Sequence, residues 1–199
     1  MSSLQLVTPP TVEPVSLSEL KAHARIEDAA SDVVLGVYLQ AAREHVEAAT
    51  GRALLTQAWK KTWDSSWPGH YWERRSQRMY LPKPPLQSIT SVQYIDPTGA
   101  ELTLDPSQYQ LVQEPYVSYL APAYGVTGWP ATRCQPDAVT VTWVAGWTDA
   151  ALVPAKLRTA IMMLAAHWFA TREAAAGILT EVPFGVQALI SSEQATGLI

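Results

Sequence analysis

The clearest hydrophobic periodicity in the N-terminal half of the chain spans residues 32–50. Apolar side chains recur there at the spacing of one helix face, at Val34, Tyr38 with Val37, Ala41, His45 with Val46, and Ala49. This phase places Arg43, Glu44 and Glu47 on the polar side of the helix. Gly51 follows where a left-handed residue commonly ends a helix. The pattern predicts an amphipathic helix over 32–50, with Ser31 or Asp32 as its N-cap.

A shorter helix is predicted just before it. Ser16 is a good N-cap, and Glu19 stands three residues later, which is the arrangement of a capping box. This helix is expected to end at about Arg25. The two segments therefore predict an N-terminal helix pair over about 16–50.

A second periodic stretch lies near the other end of the chain. Its apolar face is Leu157, Ile161, Leu164 with Ala165, and Trp168. Pro154 suits the first turn of a helix, where its missing N–H costs nothing, so a helix is predicted over about 154–173. The apolar segment 182–191 follows and predicts a short helix, although Gly185 weakens it. A polar tail ends the region 181–199.

The intervening region, about 54–147, has the alternation and turn residues of short strands. Asp96 to Gly99 supplies proline and glycine where a hairpin turn needs them, and the proline cluster at 82–85 excludes a central strand there. Six or seven strands are expected. Helices at both ends of an antiparallel β region predict an α+β fold: a small helical bundle with an inserted β region. We expect a single domain over 1–199.

Composition narrows the classes of function without naming one. The chain has 199 residues, one cysteine and a formal charge of −4, so we expect no disulfide framework, no cysteine-rich zinc site and no wholesale attraction to nucleic acid. The most apolar helical run, 160–170, is about half the length that a bilayer requires. The N-terminus lacks the features of a signal peptide. We therefore expect no membrane partner and synthesis in a reducing cytoplasm.

Catalytic chemistry is not indicated by any motif. The four histidines do not pair at metal-ligand spacing, and neither a phosphate-binding glycine loop nor a nucleophile elbow occurs. The prediction is a protein that is not an enzyme, with no catalytic residue, no cofactor and no metal.

One basic, aromatic segment could be functional. Residues 60–83 contain six Lys or Arg against two acidic residues, a local charge of +4, with tryptophans and tyrosine interleaved. The segment could be a solvated hairpin tip, a nucleic-acid-binding module that uses phosphate pairing and stacking, or a contact with a neighbouring subunit or partner protein. The candidate partner residues are Trp67, Tyr71, Trp72, Arg74, Arg75 and Arg78.

Three segments together carry a resemblance to a known family: 14–59, 81–111 and 136–190, with the phrases LPKPPLQS and VPFGVQALI. Their order and spacing resemble those of the head–tail connector proteins, also called adaptor or head-completion proteins, of long-tailed bacteriophages and gene-transfer particles. The aromatic stretch 65–79 is longer than the resemblance leads us to expect.

The resemblance implies a structural function in a virion, at the head–tail interface, after assembly in the cytoplasm of a bacterial host. Such proteins form a ring, usually twelvefold, beneath the portal protein. The ring extends the channel through which DNA passes without sequence-specific binding, and it offers a platform to the next tail or stopper protein. The resemblance further implies portal docking by the C-terminal segment, through Val182, Pro183, Phe184, Val186, Leu189 and Ile190. A short helix that closes the subunit's own core is the alternative for this segment.

Overall fold

The computed structural model describes residues 3–64, 67, 77–171 and 184–195. The chain forms two compact units: a β unit of residues 1–9, 56–146 and 196–199, and a helical unit of residues 10–55 and 147–195. The helices are α1 Leu17–Ala24, α2 Asp32–Thr50, α3 Ala155–Ala170 and α4 Phe184–Ser191. The strands are β1 Ser3–Thr8, β2 Gln57–Trp63, β3 Met79–Leu81, β4 Leu86–Ile95, β5 Glu101–Thr103, β6 Tyr109–Gln113, β7 Ser118–Pro122 and β8 Val139–Ala145. The α+β prediction of a helical bundle with an inserted β region is confirmed, while the single domain over 1–199 stays a prediction.

Local capping signals set the bounds of the first two helices. The Ser16 hydroxyl accepts the Glu19 backbone N–H at 3.2 Å, and the Glu19 carboxylate accepts the Ser16 N–H at 2.8 Å, so the predicted capping box is present. Gly51, with φ of 70°, follows α2 as predicted. Ser31 stands at the N-cap of α2, but its side chain makes no capping hydrogen bond.

The helical unit packs around one hydrophobic core. The predicted face of α3 is confirmed, because Leu157, Ile161, Leu164 and Ala165 are buried and Trp168 packs against them. The chain also has two short 3-10 helices. Pro106–Gln108 precedes β6 in the β unit, and Ala150–Leu152 precedes α3 in the helical unit.

The predicted face of α2 is wrong by about one position. The buried residues are Leu35, Leu39, Ala42 and Val46, whereas Val34 and Val37 are exposed. Apolar residues lie on two sides of this helix, so periodicity alone does not choose between them. The leucine side buries more apolar area and therefore faces the core. Arg43 and Glu47, expected on the polar side, are buried as well.

The β unit contains two antiparallel sheets. The five-stranded sheet has the order β1-β2-β8-β4-β5, and the three-stranded sheet has the order β3-β7-β6. Strand β8 is central, and its residues at 139, 141, 143 and 145 are buried in strict alternation with their neighbours. The predicted β4–β5 hairpin is present, and the Asp96 carboxylate accepts the N–H groups of Thr98 and Ala100 in its turn.

Two short strands exceed the sequence prediction. Strand β1 pairs with β2 and has all six residues exposed, so no burial pattern in the sequence indicates it. Strand β3 has three residues and pairs with β7, which lies about 40 residues later in the chain. Strand β4 begins at Leu86, directly after the proline cluster.

Candidate functional site

Trp67 anchors the basic aromatic segment to the β unit. Its side chain is 3% exposed. Its ring stacks on that of Trp129, with 4.7 Å between centroids, and contacts Tyr94 at 5.7 Å. Its indole N–H donates to the Pro130 carbonyl at 2.7 Å, and the Trp129 indole N–H donates to the Gln77 carbonyl at 2.9 Å. The ring of Trp67 therefore packs inside its own unit and offers no surface to a partner.

Two lysines of this segment also contact aromatic rings of the β unit. Lys61 lies over Trp63 and Lys83 over Trp59, each at 5.2 Å from the ring centroid. Burial lowers the pKa of Lys61. These contacts stabilise the cations where they stand, as a cation–π interaction does. Both side chains therefore contribute to the fold of the β unit before any partner binds.

Arg78 is exposed and lies over Tyr119 at 4.6 Å. A side-chain hydrogen bond with Tyr80, and then the electrostatic influence of Tyr119, raise the pKa of Arg78. The other candidates, Tyr71, Trp72, Arg74 and Arg75, lie outside the described residues. The partner-loop role and the nucleic-acid alternative both stay predictions.

Helix α4 contains four of the six predicted portal-docking residues. Val186 and Ile190 are buried in the core of the helical unit, and Leu189 packs against the same core. In this conformation Val186 and Ile190 present no surface to another protein, which fits the alternative of a core-closing helix. Phe184 begins α4, but its side chain lies outside the described residues, as do Val182 and Pro183. The docking role of the segment stays a prediction.

The chain that follows α4 is tied to the end of α2. The Ala195 N–H donates to the Thr50 carbonyl at 2.8 Å, and the Arg52 guanidinium donates to the Glu193 carbonyl at 2.6 Å. The Gln194 amide donates to the Ala49 carbonyl at 3.3 Å. The terminal carbonyls of a helix lack intrahelical partners, so the bonds to Thr50 and Ala49 satisfy two carbonyls at the end of α2. All three bonds fix the chain that follows α4.

A buried ionic cluster was missed by sequence reasoning. Arg43 donates to Glu13 at 2.8 Å and to Glu47 at 2.9 Å, and Glu47 also accepts the Leu54 N–H at 2.8 Å. Burial raises the pKa of Glu13, although the Arg43 charge and hydrogen bond oppose this rise. The i,i+4 spacing of Arg43 and Glu47 was the available signal. The cluster connects the segment before α1 to α2, so its role is structural.

The described residues show no centre for metal chemistry. In the ranges 3–64, 77–171 and 184–195, together with Trp67, no three His, Cys, Asp or Glu side chains gather as metal ligands. The single cysteine, Cys134, is exposed. Among the helices in these ranges, none is long and apolar enough to cross a bilayer.

Residues 14–92 match the family model described as "Phage gp6-like head-tail connector protein". This match covers the helix pair, β2, β3 and most of β4. Over these residues it confirms the resemblance to head–tail connector proteins that the sequence phrases suggested. No curated protein sequence matches the chain at a significant level.

Solved structures of gene transfer agent particles share the fold over nearly the whole chain. One is the neck of an empty particle computed with C6 symmetry, with a TM-score of 0.76, 23% identity, and coverage of 99% of this chain and 97% of that one. Another is the virion of the native particle, at 0.76 and 23%, covering 98% and 97%. A third is the neck of the native particle computed with C12 symmetry, at 0.70 and 23%, with the same coverage. At this identity the likeness establishes the fold.

Proposed function

We propose that this chain is a structural head–tail adaptor of a tailed phage or phage-like particle. It forms a ring beneath the portal, extends the DNA channel and presents a platform for tail attachment. The observation that carries the proposal is the family match over residues 14–92, joined to a fold shared end to end with a component of a particle neck.

The physical character of the subunit supports a structural role. Each unit is organised around buried apolar side chains, and the polar contacts described above cap helices, fix turns or hold chain segments together. An adaptor needs a rigid subunit and complementary surfaces, and it needs no catalytic residue. The proposal therefore includes the absence of an enzymatic activity, of a metal and of a cofactor.

The proposed partners are neighbouring copies of the chain, the portal protein and the next tail or stopper protein. The C6 and C12 symmetries of the similar necks support a ring of six or twelve copies, and twelve is the number we propose. DNA passes through the ring without sequence-specific binding. The net charge of −4 supports this, because a chain with a net negative charge has no overall attraction for phosphates.

The portal-docking surface is narrower in the proposal than in the sequence prediction. Val186 and Ile190 pack in the core of the subunit, so they position α4 and do not themselves meet the portal. Val182, Pro183 and Phe184 precede or begin this helix, and they are the docking residues we propose.

Binding to the portal protein of the same particle tests the function. The purified chain is mixed with assembled portal, and the mass of the complex is measured by native mass spectrometry. We expect added mass equal to an integral ring of subunits, with an unrelated ring protein of similar size as the control. A portal that gains no mass at any ratio of the two proteins would contradict the proposal.

A further inference from the structure

An apolar surface on α2 is exposed and lies outside the core that the described residues form. Val33, Val34 and Val37 are 81%, 43% and 62% exposed, and together they are named the valine face. Gly36 borders this face, and a methyl group added there would meet no other atom within 4 Å. Residues three and four apart lie side by side on a helix, so the surface is continuous.

Valine and glycine at these exposed positions lower the stability of the free subunit. Valine and glycine are poorer helix formers than alanine at an exposed position, glycine by about 1 kcal/mol. Exposed valines also gain nothing from burial in the isolated chain. The valine face is therefore explained by a partner that covers it.

The same helix continues the valine face with a carboxylate. Glu44 is exposed and follows Val37 by seven residues, which is two turns or about 10 Å along the helix. Its Oε1 atom accepts from Gln40 and lies 3.5 Å from Arg43. Its Oε2 atom contacts no donor in the described part of the chain. A partner of this surface is expected to bring apolar groups and a cation.

The β unit carries a surface of that kind. Leu4 and Leu6 in β1 are each 41% exposed, and in the antiparallel register they stand opposite Lys61 and Trp59 of β2. Paired residues lie on the same face of a sheet. Farther across the sheet this face is fully buried, at Val141 and Trp143. Leu4 and Leu6 are therefore the uncovered edge of a core face.

Lys61 gives this edge a positive charge. Its side chain is half-buried and contacts the ring of Trp63, yet across the described ranges no carboxylate pairs with it. A partly desolvated cation without a counter-ion favours an acidic partner. Leu4, Leu6 and Lys61 are named the β1 patch.

We propose that the valine face of one subunit binds the β1 patch of the next, with Glu44 placed against Lys61. Charge distribution within the chain supports a second copy as the occupant. The helical unit has eleven acidic against seven basic residues, a net charge of −4, while the β unit has seven of each. The two surfaces differ, so the contact is heterologous, and a heterologous contact that closes by rotation forms a ring. This inference rests on the proposed adaptor ring and names the surfaces that join it.

Two variants separate the surfaces. Val33→Ser with Val37→Ser disables the valine face, and Leu4→Ser with Leu6→Ser disables the β1 patch. All four side chains are exposed, so both variants are expected to fold, which circular dichroism and thermal unfolding check. Leu152→Ser changes an exposed leucine outside both surfaces and serves as the matched control.

Sedimentation at the highest soluble concentration measures association. We expect the wild-type chain and Leu152→Ser to associate, each double variant alone to be monomeric, and an equal mixture of the two double variants to form a dimer and nothing larger. Adding Lys61→Glu to the valine-face variant should weaken that dimer at least tenfold, and pairing it with Glu44→Lys in the β1-patch variant should restore it. A wild-type chain that stays monomeric, a double variant that still associates alone, or a mixture that stays monomeric overturns the proposal.

Portal binding is measured on the same proteins. If the portal binds the wild-type chain while the mixture stays monomeric, the proposed interface is wrong and the adaptor function stands. If the mixture dimerises while none of the proteins binds the portal, the adaptor function is wrong and the proposed interface stands.

Discussion

Two opposed effects of its surroundings act on the ionisation of Glu13. Burial raises the pKa of its carboxyl above the ordinary 4.5, and the Arg43 guanidinium acts against this rise. A carboxyl with a raised pKa binds its proton more tightly in the folded chain than in the unfolded one. The stability this contributes is therefore present below about pH 4.5, and it is lost as the pH rises through the folded pKa.

Replacing Glu13 by glutamine tests this sign. Glu13→Gln keeps a polar partner for Arg43 and cannot ionise, so its free energy of unfolding should fall less than that of the wild-type chain between pH 4 and pH 7. Urea denaturation at a series of pH values measures the difference. Equal pH slopes for the two proteins would show that Glu13 has the same pKa in the folded and unfolded chain.

Residues that act on close neighbours were predictable, and residues with distant partners were not. Ser16 and Glu19 cap α1 from within one turn, so their sequence spacing was enough. Arg43 meets Glu13 thirty residues away, and no local pattern reports that contact. The valine face shows a related limit, because the sequence does not say which of two apolar sides of α2 a partner outside the subunit will cover.

At the scale of elements, α4 combines a buried side with a proposed docking end. Ile190→Ala removes a core side chain, so we expect a loss of about 2–5 kcal/mol in the free energy of unfolding. Phe184→Ala should leave the free energy of unfolding within about 0.5 kcal/mol of the wild type and abolish portal binding. Chemical denaturation and portal co-sedimentation measure the two effects. A Phe184→Ala subunit destabilised by several kcal/mol would place Phe184 in the core.

Trp67 tests how the basic aromatic segment is held. Trp67→Ala removes a buried ring, its stacking on Trp129 and its hydrogen bond to Pro130, so the β unit should lose about 3–5 kcal/mol of stability. Tyr124→Ala, a change at a fully exposed aromatic residue, is the control and should have little effect. Unfolding followed by tryptophan fluorescence measures both. An unchanged stability for Trp67→Ala would mean that its ring is free to serve a partner.

Elements whose buried residues recur at a regular spacing were predicted well from sequence. Strand β8 alternates residue by residue, and α3 keeps one apolar face, so each pattern was sufficient. Strand β1 has no buried residue, and β3 is three residues long with a partner distant in the chain, so their pairing depends on the folded unit. The apolar run that begins at Val182 did not show that Val186 and Ile190 belong to the core, because an apolar residue can face either the core or a partner.

At the scale of the whole molecule, the chain leaves the helical unit after α2, builds two sheets and returns for α3 and α4. Periodicity predicted the helices at both ends and the β region between them, because helical and strand patterns occupy separate stretches of the sequence. The function was suggested by a resemblance in sequence phrases and spacing, because no sequence motif indicated a chemical activity. The proposed ring surfaces could not be predicted from sequence, because they depend on which side chains are exposed and on the register of β1 and β2 in the folded subunit.

The central claim is that this protein joins the head of a particle to its tail. Deleting its gene in a strain that produces the particle, and counting particles by negative-stain electron microscopy, tests that claim most directly. We expect heads and tails to accumulate separately, and tailed particles to be restored when the wild-type gene is supplied from a plasmid. Tailed particles at the wild-type frequency in the deletion strain would contradict it.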